Sequence, residues 1–182
     1  MRLFVGIPLA PAVVEELKRL TARLRRSGDG LRWTAPESWH ITLVFLGNTE
    51  QERYECMVEG LRALHLPPVT VCLEDPGIFD RAGVFHAGVK LTPELVLLQQ
   101  RVAAAAHQCG FAAETRPYRP HITLARDKDR AGTQALRALK ARLHPSQAFT
   151  RFVAGEFLLY ESFLGPSGAR YEVRARFPLD GR

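Results

Sequence analysis

His121-Ile122-Thr123-Leu124 decides the reading of this chain, because the same four residues occur once before, at His40-Ile41-Thr42-Leu43. In a strand, side chains alternate between faces. His40 and Thr42 then share one face, and Ile41 and Leu43 share the other. His121 and Thr123, and Ile122 and Leu124, divide in the same way. Each copy presents an imidazole beside a hydroxyl and buries two aliphatic residues behind them.

The surrounding landmarks repeat too. Gly6 and Gly88, Pro11 and Pro93, and Gly28 and Gly110 each stand 82 residues apart, and His40 and His121 stand 81 apart. The chain therefore reads as two copies of strand–helix–strand–helix–strand. One domain covering 1–182 is expected, built of repeats at about 1–81 and 82–182 with room for exchange of elements. Two copies suit a two-lobed body with approximate twofold symmetry. That symmetry brings both His/Thr faces to one central cleft, where sites commonly form.

The elements follow from local signals. A buried strand is expected over 3–9, and Pro11 opens a helix with Val13, Leu17, Leu20 and Leu24 as its stripe. Gly28 is its expected stop. A polar connection leads to His40. Thr49 with Glu52 reads as a capping box starting a helix to about His65. A strand over 69–73 precedes a loop at Asp75-Pro76-Gly77. In the second copy a strand over 84–91 leads to Thr92, which caps a helix with Pro93 in its first turn. Gly110 stops that helix, and an Arg/Pro-rich loop over 116–120 reaches His121. A helix over 131–143 ends before Pro145. Strands over 149–153, 156–163 and 171–177 close the chain, with a turn at 165–168.

Composition narrows the class. The formal charge is +6, carried mostly by arginine, whose planar fork suits phosphate. Cys56, Cys72 and Cys109 have no C-x-x-C spacing, which argues against a zinc site and a secreted disulfide framework. No apolar run approaches a membrane span, and the start has no signal-peptide pattern. A cytoplasmic, soluble protein is expected.

Two imidazoles at one cleft can divide acid and base roles, since histidine titrates near pH 6.5. A neutral ring takes a proton from water, and a protonated ring gives one to a leaving oxygen. Thr42 and Thr123 can donate to phosphoryl oxygens. A catalytic metal would want carboxylates or a third histidine beside the pair, and neither tetrapeptide has them. No metal and no cofactor is expected. Ser38 lies outside a nucleophile-elbow context. These residue types suit a strained phosphodiester, of which a 2′,3′-cyclic ribose phosphate is one.

Arg126 could clamp a phosphate, yet strict alternation places it on the face opposite His121. Phe45, five residues after His40 as Arg126 is five after His121, is suited to stacking on a base or to the core. Tyr118 and Arg119 line the cleft or belong to a surface loop. Trp33 and Trp39 read as packing residues, and His65 and His144 as capping or solvated. His86 and His107 have no partner that the sequence names.

The chain resembles the two-histidine phosphoesterases, specifically the RNA 2′,3′-cyclic phosphodiesterases also called 2′-5′ RNA ligases. The likeness is carried by Phe4-Val5-Gly6-Ile7-Pro8, Arg32-Trp33, both His-Ile-Thr-Leu copies with their flanks, and Gly168 to Leu179. It implies a two-lobed α+β fold with antiparallel sheets facing a central cleft and helices outside. It implies hydrolysis of an RNA 2′,3′-cyclic phosphate to a 2′-phosphomonoester; the expected partner is an RNA with such an end or a cyclic nucleotide, and a monomer is expected. By that likeness His40 donates a proton to the leaving 3′ oxygen, His121 accepts one from water, and Arg126 binds phosphate. Phe85-His86 departs from the pattern, where relatives often carry tryptophan. An RNA-end binding module without turnover, and 2′-5′ ligation, remain open alternatives.

Overall fold

The computed structural model describes residues 1–128, 133–143, 148–165 and 168–181. Its elements run β1 (Arg2–Pro8), α1 (Pro11–Leu24), β2 (Leu31–Trp33), β3 (His40–Asn48), α2 (Gln51–Arg62), β4 (Val69–Val71) and β5 (Leu73–Phe79). Then come β6 (Val84–Val89), α3 (Pro93–Gln108), β7 (His121–Asp127), α4 (Thr133–Lys140), β8 (Phe152–Ala154), β9 (Glu156–Gly165) and β10 (Gly168–Pro178). His144, Pro145, Pro166, Ser167 and the expected helix start at Ala131 lie outside the described residues.

The fold is α+β, and every strand pairing is antiparallel. One four-stranded sheet has the order β10-β9-β1-β3, and a second has β5-β6-β7-β2. A ribbon of β4 and β8 completes the pairing. The three strands β9-β1-β3 of the first sheet match β5-β6-β7 of the second in order and direction. Each sheet draws strands from both ends of the chain: β1 and β3 join β9 and β10, while β2 and β5 join β6 and β7.

Local chemistry accounts for the helices. Pro11 and Pro93 each occupy a first turn, where their lacking N–H costs nothing. Thr92 caps α3, its side chain accepting from the Leu95 N–H. The apolar stripe of α1 is buried at Val13, Leu17, Leu20 and Leu24. That of α3 is buried at Leu95, Leu98, Val102, Ala105 and Ala106, and α3 packs on β3, β4 and α2. Ile41 and Ile122, the buried partners of the two histidines, are fully enclosed in one continuous core. Burying such a side chain stabilises by about 1.5–3 kcal/mol.

Four expectations need correction. The capping box at Thr49 does not form: Thr49 is buried and its hydroxyl donates to the Gly47 carbonyl, and Glu50 is the residue flanking α2. That helix ends at Arg62, short of His65. The polar connection before His40 contains β2, held by Asp29, which accepts from the Leu31 N–H and the Trp33 indole. Asp75-Pro76-Gly77 is not a loop but part of β5, an edge strand with a register shift between Leu73 and Pro76. Proline is tolerated there because an edge strand leaves one side unpaired.

The cysteine spacing misled as well. Cys56 and Cys109, which spacing alone left unconnected, form a disulfide between α2 and the end of α3. It closes a separation of 53 residues, and such a crosslink stabilises by about 2–4 kcal/mol. Cys72 is free and half-buried. No helix among the described residues is long and apolar enough to cross a membrane.

Candidate active site

The two H-x-T strands are built alike. On β3, His40 and Thr42 are partly exposed while Ile41 and Leu43 are buried; on β7, His121 and Thr123 alternate in the same way with Ile122 and Leu124. His40 Nδ1 lies 2.8 Å from the Ser38 carbonyl, and His121 Nδ1 lies 2.8 Å from the Arg119 carbonyl. A carbonyl can only accept, so Nδ1 carries the hydrogen in both rings. Each neutral ring is thereby left with a bare Nε2. The Thr42 hydroxyl donates to His40 Nε2 at 3.1 Å.

Both histidines and both threonines line one cavity of about 630 Å³, together with Phe45 and Arg126. Its walls come from β1, β3, β9 and β10 of the first sheet and β2 and β7 of the second. Arg2 and Arg32 also line it, and among the described residues no carboxylate does.

Arg126 reaches this face through a bulge. His86 pairs with Thr123 and Phe85 with Ala125, which leaves Leu124 without a partner. One extra residue reverses the alternation, so Leu124 and Ala125 are both buried and Arg126 returns to the cavity. Strict alternation is thus corrected at this position. The same device recurs on β3, where Val5 pairs with Val44 and Gly6 with Thr42, leaving Leu43 unpartnered. It turns Phe45 into the cavity, 73% exposed, rather than into the core. Thr34 buttresses the bulge on β7: its backbone N–H donates to the Leu124 carbonyl and its hydroxyl reaches the Thr123 and Leu124 carbonyls. The indole of Trp39 donates in turn to Thr34 Oγ1 at 2.9 Å.

The two rings stand in unlike surroundings. His40 packs on Phe4 with centroids 4.5 Å apart and meets Tyr171 edge-on at 5.0 Å. Gly6 lets β1 lie close against β3, since a Cβ there would fall 2.8 Å from the Ile41 carbonyl oxygen. His121 instead meets Phe79 edge-on at 4.9 Å and His86 at 5.6 Å. His86 is buried and stacks on Phe79 at 3.9 Å. It lies over Gly77, where a Cβ would come within 3.0 Å of the ring. Phe4 and His86 are 82 residues apart and hold equivalent places in the repeat.

Burial pushes the His40 pKa down to about 4, and the charges of His121 and Arg126 add to this against the bond to Ser38. His86 is pushed down to about 4 by burial and then by His121. Burial also lowers His121, with Arg126 adding to it against the bond to Arg119. The free protein therefore holds these rings neutral at pH 7.

Tyr118 and Arg119 do not line the cavity. The Tyr118 hydroxyl donates to the Thr42 carbonyl at 3.0 Å, tying the loop before β7 to β3. Arg119 is exposed and contributes its carbonyl to His121. Trp39 is buried in the core, and Trp33 meets Phe85 edge-on while touching the cavity. Sequence reading missed Thr34, Phe4, Tyr171 and the Phe79–His86 pair, and only the repeat offset of 82 residues pointed at His86 through Phe4. Among the described residues, no group of three or more histidine, cysteine or acidic side chains is arranged to hold a metal ion.

Two antiparallel sheets with paired H-x-T strands on one cavity define a two-histidine α+β protein. The chain belongs to the 2′-5′ RNA ligase superfamily, whose match runs over residues 8–159. An RNA 2′,3′-cyclic phosphodiesterase of Geobacillus stearothermophilus is 31% identical over 98% of this chain, which spans 57% of that protein's length. One from Archaeoglobus fulgidus is also 31% identical, covering 94% of this chain and 97% of its own. The solved Escherichia coli LigT complexed with 3′-AMP superposes with a TM-score of 0.83 at 28% identity, covering 98% of this chain and 97% of that one.

Proposed function

We propose that this protein opens RNA 2′,3′-cyclic phosphate ends to 2′-phosphomonoesters, without a metal. One observation carries the reading: two imidazoles with bare Nε2 atoms line a single arginine-bearing cavity. Water attacks phosphorus as His121 Nε2 takes its proton. The bond from phosphorus to the 3′ oxygen breaks, and protonated His40 supplies the proton that oxygen needs. Burial holds the His40 pKa down in the free protein, so this ring keeps a proton only with the anionic substrate bound beside it. The anionic substrate opposes the effect of Arg126 and lets one ring of the pair hold a proton. Thr42, Thr123 and Arg126 stabilise the non-bridging oxygens, and a pre-aimed donor of this kind is worth about 10²–10³ in rate. A 5′-hydroxyl in place of water would give a 2′-5′ linkage by the same proton traffic.

The matching strand orders support one domain of two pseudo-twofold lobes facing the cleft, with strands exchanged between them. One chain carries both H-x-T copies, so a monomer suffices.

His40→Ala and His121→Ala should each lower kcat by about 10²–10⁴ on a cyclic-phosphate oligonucleotide. Wild-type turnover should survive a chelator. Chelator-sensitive turnover restored by added metal would overturn the mechanism, and tight RNA binding with unchanged substrate would favour a binding module. Supplying a 5′-hydroxyl oligonucleotide and analysing products separates hydrolysis from ligation.

A further inference from the structure

The cavity carries more positive charge than one phosphate requires. Arg126 is accounted for by the histidines, since its charge bears on both His40 and His121. Arg32 lies directly opposite Arg126 in the register of β2 and β7, and both side chains line the cavity. Like charges opposite one another on neighbouring strands repel. Among the described residues, neither guanidinium has a carboxylate partner. Arg2 adds a third guanidinium from the other sheet, at the end of β1 that pairs with Asn48 and away from the end that pairs with His40. Arg126 likewise sits at the end of β7 away from His121. The charges of Arg126 and Arg2 both bear on Tyr171, so guanidiniums from the two sheets converge on one stretch of the cavity, and no acidic residue among the described ones lines it. An anion placed there would relieve the Arg32–Arg126 repulsion.

We propose that Arg32, with Arg2 on the opposite sheet, forms a second anion subsite for the phosphate on the 5′ side of the terminal nucleotide. This extends the reading of the site as one for cyclic-phosphate ends. An RNA chain end always carries that second phosphate, whereas a nucleoside 2′,3′-cyclic phosphate lacks it. The subsite therefore selects chain ends over free cyclic nucleosides.

Adenosine 2′,5′-bisphosphate and adenosine 2′-monophosphate differ only in the 5′ phosphate, and calorimetric titration of the full chain with each isolates its contribution. The bisphosphate should bind about tenfold to a hundredfold more tightly, as a charge-assisted contact provides. Arg32→Gln should remove most of that gain, Arg32→Lys should keep part of it, and added salt should shrink it. Equal binding of both ligands by the wild type overturns the proposal, as does a gain that survives in both Arg32→Gln and Arg2→Gln. A loss in Arg32→Gln of the same size for both ligands also overturns it, by assigning Arg32 to the reacting phosphate. No turnover enters this measurement, so a failure to open cyclic phosphates would sink the catalytic reading separately.

Discussion

Identical tetrapeptides become unequal through a single neighbour. Phe4 lies against His40 where the second copy places His86 against His121. An apolar ring offers no charge, whereas an imidazole can become charged and repel. Pairs of titratable groups in differing environments are how one site sustains both an acid and a base. The buried ring of His86 also ties stability to pH. Its pKa is about 4 in the fold, against about 6.5 in an unfolded chain. As pH falls below about 6.5 the unfolded chain takes the proton first, so the contribution is full above that value and is lost down to about 4. The loss runs at about 1.4 kcal/mol per pH unit. Urea unfolding at pH 7 and pH 5 should show a smaller pH dependence in His86→Gln than in the wild type. An unchanged dependence would mean that His86 does not hold its proton off.

At the scale of elements, the bulges matter more than the strands. Period-two alternation made both H-x-T faces legible, and proline and threonine signals placed α1 and α3. Alternation also put Arg126 on the wrong face, because a bulge is set by the partner strand and leaves no mark in the bulged strand itself. The three residues of β2 are too few to show a period, and β5 carries a proline inside it. His86 found no partner in the sequence because Phe79 reaches it only through the β5–β6 hairpin. Thr34 was equally hidden, its contacts lying 89 and 90 residues away. Since Thr34 supports the bulge that aims Arg126, Thr34→Val removes the acceptor of the Trp39 indole and the hydroxyl that the Thr123 and Leu124 carbonyls share, while the backbone bond to Leu124 stays. That should cost about 1–3 kcal/mol and raise KM for a cyclic-phosphate oligonucleotide more than it lowers kcat. Unchanged kinetics at reduced stability would reduce Thr34 to a packing role.

Over the whole molecule, neither half of the chain owns a sheet. Residues 1–81 supply β1 and β3 to one and β2 and β5 to the other, and the remainder supplies the partners. Each half also holds one of the two cysteines of the disulfide. Fragments cut at the short turn Asp80–Ala82 should therefore be inactive singly and regain turnover when mixed. Activity in either fragment alone would show that one H-x-T strand suffices.

The interleaving of strands has an evolutionary corollary. A duplicated gene whose products merely touched could later shed or trade one copy. Here residues 1–81 and the rest of the chain complete each other's hydrogen-bonded ladders, so losing either would expose raw strand edges in both sheets. The two halves differ in what packs on their histidines, phenylalanine in one and a third imidazole in the other, yet neither completes a sheet without the other.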